Sequence, residues 1–215
     1  VYCKVTGTIA PALNFQISLP QAWNGKLYYQ GGGGYNGAIT PPSVPALGLG
    51  YAVVASDSGH QGNVLSADFA LTDTFAAQLF GSLSVPTVMS TATETLAAAY
   101  GALPAKSYFE GCSNGGREAL MAVQRAPNLF DGVIARAPAY NWVGFMGAFN
   151  RNSRALAAPG GAFSAAKTAL LSKHVRDACD GLDGLVDGVV SNQAACTPAL
   201  ANVAALRCAG GTDTG

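Results

Sequence analysis

The sequence predicts an α/β fold, and three observations carry that prediction. Between residues 51 and 140, stretches of strand character alternate with stretches of helical period. A run of four glycines, 31–34, follows a short strand pattern, where no regular element could hold it. About half of the 215 residues (49%) are apolar, enough to bury a real core in one domain or in most of a larger one.

The opening stretch "CKVTGTIAPALNFQISLP" alternates apolar and polar residues, as strands with one face in a core do. "NGKLYYQ" reads as a short strand opened by an Asn-Gly turn signal, and "GGGGYNG" as the loop after it. "YAVVASDSGH" is a continuous apolar run ending in small polar residues, the look of a buried parallel strand that leads to a functional edge. From Val85 to Tyr100 the pattern is helical, with proline near its start and glycine after its end. "KSYFEGC", "NGGREALMAVQRAP" and "FDGVIARAPA" then read as strand, helix and strand, which calls for parallel pairing with right-handed crossovers. After Asn141 the texture turns irregular and rich in alanine and glycine, with one helix near Ser164 to Ala178 and then the acidic loop "CDGLDGLVDGVV". The tail "CAGGTDTG" reads as a flexible end. The division expected is 1–150 for the sheet-bearing part and 151–215 for the part that carries the acidic loop.

The formal charge is zero, only 11% of residues are charged, and there is no run of Lys or Arg. No electrostatic footprint for nucleic acid or an anionic membrane is therefore present, and a small or neutral partner is expected. No apolar stretch reaches the roughly 18 residues that span a bilayer. "VYCKVTG" lacks the apolar core of a signal peptide, so the sequence is expected to begin as mature protein. Five cysteines leave at least one free or paired elsewhere.

Chemistry concentrates at Gly111-Cys112-Ser113-Asn114-Gly115, which fits G-x-S-x-G between a strand and a helix. Glycines flank such a serine because side chains there would strike the strand and helix; the serine oxygen is thereby held over the helix dipole, where negative charge is favoured. Ser113 is the candidate nucleophile. Its oxyanion needs two donors, one the amide of Asn114 and the other from a glycine-rich loop, which residues 30–37 supply. That loop could otherwise be a flexible turn or a phosphate cradle, but it lacks the GK[ST] ending of a P-loop. Cys112, taken alone, reads as a small hydrophobe beneath the turn.

A base is harder to find. Of the two histidines, His60 comes too early for the order serine, acid, histidine, and is expected to be a plain loop residue, with lining the site as the alternative. His174 comes after Ser113 but lies in a helix, with no acid on an intervening strand, and is a poor candidate. The acid, the base and the strands that would carry them are expected outside residues 1–215.

"GCSNGGRE", "WNGKLYYQGGGGYNG", "GYAVVASDSGH", "FDGVIARAPA" and "CDGLDGLVDGVVSNQAAC" together resemble the tannase and feruloyl esterase family. The resemblance runs in order along nearly the whole chain and matches about the first half of a complete member. It implies an α/β-hydrolase fold, here partial, with an inserted lid beginning near the change of texture after Asn141. It implies oxyanion donors at Gly34 and Asn114, and a disulfide from Cys112 to a cysteine beyond residue 215 beside the catalytic histidine, so that the missing C-terminal segment becomes a partner of this chain. Cys3 would pair upstream and Cys208 downstream. Where members carry Glu or Thr this chain has Asn114, a change expected to affect the acyl pocket more than the chemistry, which uses only the amide.

Asp180, Asp183 and Asp187 recur among glycines 181, 184 and 188, a spacing that suits a hard cation with oxygen ligands and differs from that of an EF-hand. A solvated acidic turn is the plain alternative. The resemblance implies a structural calcium ion held by Asp180, Asp183 and Asp187 with the carbonyls of Leu185 and Val189. Cys179 and Cys196 flank the loop and would close it. The whole points to a secreted or periplasmic serine ester hydrolase for feruloyl, galloyl or terephthalate-type esters. Its rivals are another hydrolase of the same fold, and a catalytically incomplete fragment or calcium-stabilised binding module.

Overall fold

β1 (Tyr2–Ile9) and β2 (Leu13–Pro20) form a hairpin in register from Tyr2↔Pro20 to Ile9↔Leu13, turning at a cis Ala10-Pro11 bond. β3 (Lys26–Gln30), β4 (Ala52–Ser56), β5 (Lys106–Cys112) and β6 (Gly132–Arg136) complete a six-stranded sheet in the order β1-β2-β4-β3-β5-β6. β1, β2 and β4 pair antiparallel, whereas β4, β3, β5 and β6 are parallel neighbours. The computed structural model that establishes this describes residues 1–208 and 210; the rest of the tail read as a flexible end lies outside the described residues.

Parallel neighbours need crossovers, and helices supply them. α1 (Val44–Gly48) stands between β3 and β4. α2 (Phe69–Thr72), α3 (Thr74–Gln78), a π-turn at Leu79–Leu83 and α4 (Ser84–Tyr100) run between β4 and β5. α5 (Asn114–Arg125) joins β5 to β6. The core lies on one face of the sheet, where Leu13, Phe15, Ile17 and Leu19 of β2, Leu27 and Tyr29 of β3, Val54 and Phe109 meet α4 and α5. α4 answers with Val85, Val88, Met89, Ala92 and Leu96, spaced so that one stripe of the helix is buried. Burying each large aliphatic side chain contributes about 1.5–3 kcal/mol. The Tyr29 and Phe109 rings stack at 5.3 Å across β3 and β5, which fixes the height at which β5 delivers the next residues.

Two features differ from the sequence reading. The polar positions of β2 do not face water: Gln16 and Ser18 are buried, and the Gln16 amide donates to the Ser18 hydroxyl at 3.1 Å. The stretch read as irregular after Asn141 contains α6 (Trp142–Ala157). Gly144, Gly147, Asn150, Asn152 and Ser153 are weak helix formers, and they mask its period. Next comes α7 (Ala165–Cys179), begun by Ser164, whose hydroxyl accepts from the Lys167 amide, and then α8 (Pro198–Ala201). The chain divides into two compact units, the first Val1–Trp142 and the second starting at Val143.

Candidate active site

β5 ends at Cys112 and α5 begins at Asn114, so Ser113 alone makes the turn. Its backbone sits at φ 60°, ψ −117°, a conformation that costs a non-glycine residue on the order of 1–3 kcal/mol and persists only where the surroundings dictate it. The surroundings do so through three main-chain bonds. The Ser113 amide donates to Arg136 O at 3.1 Å, and its carbonyl accepts from the amides of Arg117 at 3.1 Å and Ala139 at 3.2 Å. The flanking glycines are required by space: a Cβ on Gly111 would lie 2.3 Å from the Gly115 carbonyl group, and one on Gly115 2.8 Å from Gly32 O. Ser113 is exposed at the tip of this turn, and its hydroxyl has no hydrogen bond among the described residues. Cys112 is an exposed free thiol, not the buried hydrophobe that its composition alone suggests.

The glycine loop leaves β3 and packs directly on the elbow. Gly31 donates its amide to Glu110 O at 2.9 Å, and a Cβ there would be 2.8 Å from Gly115 Cα. Gly32 donates to Glu118 Oε2 at 2.8 Å. Gly34 is exposed with φ 56°, and the next amide, Tyr35, is held by Val64 O at 2.7 Å. Both residues expected to carry oxyanion donors therefore lie in segments that meet at Ser113. Beside them opens a cleft of about 430 Å³ lined by Tyr28, Gln30, glycines 31–33, Glu110, Cys112 and Arg136. Within it Glu110 accepts from the Tyr28 hydroxyl at 2.7 Å and pairs with Arg136 at 2.7 Å. Burial, first, and the Glu110 carboxylate push the Tyr28 hydroxyl pKa well up, so it stays a donor.

The Asn114 side chain turns inward from the elbow. It is buried, donates to Asn36 Oδ1 at 2.7 Å and accepts from Arg117 Nε at 2.7 Å. Arg117 also donates to the carbonyls of Phe80 at 2.7 Å and Gly81 at 2.8 Å, which closes the π-turn against α5, and its guanidinium lies 4.4 Å from the Phe80 ring centre. Asn36 donates onward to the Ser58 hydroxyl, and Ser58 to Glu118 Oε1 at 3.0 Å. These residues were not singled out from the sequence. Asn36, Ser58 and Glu118 are separated by up to 82 positions, and nothing local marks a polar residue as buried.

Beyond the end of β4, His60 is a buried ring stacked on Phe69, 3.5 Å between centres. Burial holds its pKa below the usual histidine value, against the opposing pull of Asp57. Asp57 itself is fully engaged, accepting from the Asn14 and Gly59 amides and from the side chains of Asn14 and Gln61. His174 lies on α7 in the second unit.

In that unit Cys179 and Cys196 are joined by a disulfide around the acidic loop. Asp180 accepts from the amides of Asp187 at 3.2 Å and Gly188 at 3.0 and 3.1 Å; Asp183 accepts from Leu185 and Asp187 from Val189. The donor set is all oxygen, as a hard cation requires. Among the described residues, however, no three acidic, histidine or cysteine side chains converge as a metal site, and the carboxylates are turned onto the loop's own amides.

A family model described as "Tannase and feruloyl esterase" matches residues 1–215. Mono(2-hydroxyethyl) terephthalate hydrolase of Piscinibacter sakaiensis is 34% identical to this chain, over 97% of the chain and 42% of the hydrolase. The crystal structure of an esterase from Aspergillus oryzae superposes with a TM-score of 0.84 at 30% identity, and that of feruloyl esterase B from the same organism with 0.85 at 26%. Each superposition covers 99% of this chain and 43% of the other. The chain thus spans less than half the length of these relatives.

Proposed function

The chain belongs to the tannase and feruloyl esterase family, and from that premise we propose that it carries the nucleophile and oxyanion-binding half of a serine ester hydrolase for esters of aromatic carboxylic acids. Its α/β-hydrolase fold is that of the family's solved members. The observation that supports the reading most is Ser113, held exposed at φ 60° between β5 and α5 with the glycine loop packed against the turn. A strained non-glycine residue kept in place by surrounding bonds is a mark of a functional site.

In this mechanism the Ser113 oxygen attacks the ester carbonyl as a histidine outside residues 1–215 takes its proton. The amides of Gly34 and Asn114 stabilise the oxyanion, the alcohol leaves, and water releases the acid from the acyl-enzyme. Cys112 is proposed to bridge to the segment that carries the histidine; its exposure beside Ser113 leaves it accessible for that bond. A structural calcium ion at the acidic loop is part of the same proposal, and it requires Asp180, Asp183 and Asp187 to turn from the amides they now hold. The Cys179–Cys196 disulfide supports an extracytoplasmic setting, secreted or periplasmic. No helix among the described residues is long and apolar enough to cross a membrane.

The test is hydrolysis of methyl ferulate, methyl gallate and mono(2-hydroxyethyl) terephthalate by the protein that joins these residues to the histidine-bearing segment, and by its Ser113→Ala variant. At least one ester should be cleaved, and the variant should lose on the order of 10³-fold or more in kcat. Turnover of none of the three by the protein, or unchanged turnover by the variant, contradicts the reading.

A further inference from the structure

We propose that Glu118 is a positioning residue that locks the glycine loop to the nucleophile elbow, so that the Gly34 amide keeps its place relative to the Asn114 amide. The catalytic consequence rests on the ester-hydrolase reading; the structural link does not.

Glu118 stands on α5, whose first residue follows Ser113, so its backbone moves with the nucleophile. Its carboxylate reaches away from the helix to two other segments. Oε2 accepts from the Gly32 amide at 2.8 Å, two residues before Gly34. Oε1 accepts from the Ser58 hydroxyl at 3.0 Å, beyond the end of β4, and more weakly from Asn36 Nδ2 at 3.4 Å. Asn36 in turn accepts from the Asn114 side chain at 2.7 Å, and Asn114 from Arg117 Nε at 2.7 Å. The bonds run in one direction from a cation to an anion: Arg117 to Asn114, to Asn36, to Ser58, to Glu118. Each amide in the chain has its orientation set by its neighbours, and only an acceptor with no donor of its own completes it.

A buried carboxylate is costly, and packing alone would be served as well by an apolar side chain. What the carboxylate adds is two acceptor oxygens aimed at two loops from one rigid helix. A glutamine replaces it poorly: with a single acceptor oxygen, its NH₂ faces either the Gly32 N–H, donor to donor, or a Ser58 hydroxyl that must turn its proton away while it already accepts from Asn36. The freed loop then carries its oxyanion donor out of line, and small displacements of such donors are expensive in rate.

The experiment uses the protein with Glu118→Gln and Ser58→Ala, reading kcat and KM on an ester it turns over and amide hydrogen exchange by mass spectrometry. For Glu118→Gln, kcat should fall about 10²-fold, as for loss of one oxyanion donor, with KM within about threefold. Exchange in residues 31–37 should rise about tenfold or more while peptides of β4 and α4 keep their protection. Ser58→Ala should move both readouts in the same direction by less, and it serves alone if the glutamine variant does not fold. Wild-type exchange of the glycine loop together with wild-type kcat in the folded variants overturns the proposal. Ser113→Ala is run alongside. If it retains hydrolysis, the esterase reading and the catalytic half of the proposal both fail, and the exchange data alone decide whether Glu118 holds the loop.

Discussion

At the elbow, Asn114 bonds to a residue 78 positions earlier, and Glu118 to residues 60 and 86 positions earlier. In the acidic loop, among the described residues, the carboxylates of Asp180, Asp183 and Asp187 bond only to amides within eight positions. Both are short motifs punctuated by glycine. The first is imposed by three separate segments of the sheet's edge, and that is why Ser113 can hold a backbone that its own sequence disfavours. The second is imposed by its own residues and by the disulfide that closes it. A strained site needs the first kind of support; a ligand-responsive loop can manage with the second.

Glycine substitution should break the elbow far more than the loop. Gly111→Ala places a Cβ 2.3 Å from the carbon and oxygen of Gly115, main-chain atoms with no freedom to give. The expected loss is about 3 kcal/mol or more in urea unfolding, with hydrolysis abolished. Gly184→Ala meets no atom within 4 Å and is strained only by its φ of 93°, so about 1–2 kcal/mol is expected. Equal losses from the two would show that the elbow is no tighter than the loop.

The disulfide sharpens the comparison from the other side. Cys196→Ser opens a loop with a sequence separation of 17, and the chain-entropy model gives a loss of roughly 3 kcal/mol. The effect should stay in the second unit, with hydrogen exchange raised in α7 and unchanged at residues 31–37 and 110–118. Raised exchange at the elbow would show that the two regions do not have separate supports.

The same difference decides what could be read from the sequence. The alternation of strand and helix from residue 51 to 140 was legible because each element carries its own period. The turn at Ser113 was legible because tight turns demand glycines at fixed offsets. The glycine loop was legible for the same reason. The network behind them was not: Asn36, Ser58, Arg117 and Glu118 each look like surface residues, and only the sheet order, with β4 lodged between β2 and β3, brings them together. The Asn114 side chain's part in that network was hidden for the same reason, since only its amide had a role visible in the motif. α6 went unread because its glycines, asparagines and serine obscure the helical period.

Glu118 also offers a titration that probes the elbow. Burial pushes its pKa above the usual glutamate value, opposed by the Gly32 amide, Arg117, Ser58 and Asn36. Arg117 on α5 and Tyr29 on β3 are the ionisable groups facing it, and neither changes charge in the acid range, because arginine stays protonated and burial pushes the tyrosine further up. A carboxyl whose folded pKa is raised contributes stability that is fully present below its unfolded pKa and lost as pH rises through the folded value. Activity should run the other way, because the carboxylate must be ionised to accept from both loops. Over the span upward from the usual glutamate range, Tm should therefore fall as kcat/KM rises, and Glu118→Gln should flatten this component of both profiles. Parallel rises of Tm and kcat/KM would mean that the folded network prefers the ionised form, contrary to the raised pKa.

The smallest effect is expected at Asp180. Replacing it with asparagine leaves one oxygen to accept from Asp187 and Gly188, a loss of about 1 kcal/mol or less at a half-exposed site, read as a small drop in Tm without divalent ions. Added calcium separates two states of the loop. If the ion binds as proposed, it must first draw Asp180, Asp183 and Asp187 off the amides they now hold, so the Tm gain measures coordination less the lost loop bonds. The wild-type protein should then gain in Tm with calcium, magnesium should substitute poorly, and Asp180→Asn should cancel most of the gain. A wild-type Tm that calcium leaves unmoved would mean that the loop's amides outcompete the ion, making it a self-contained acidic turn.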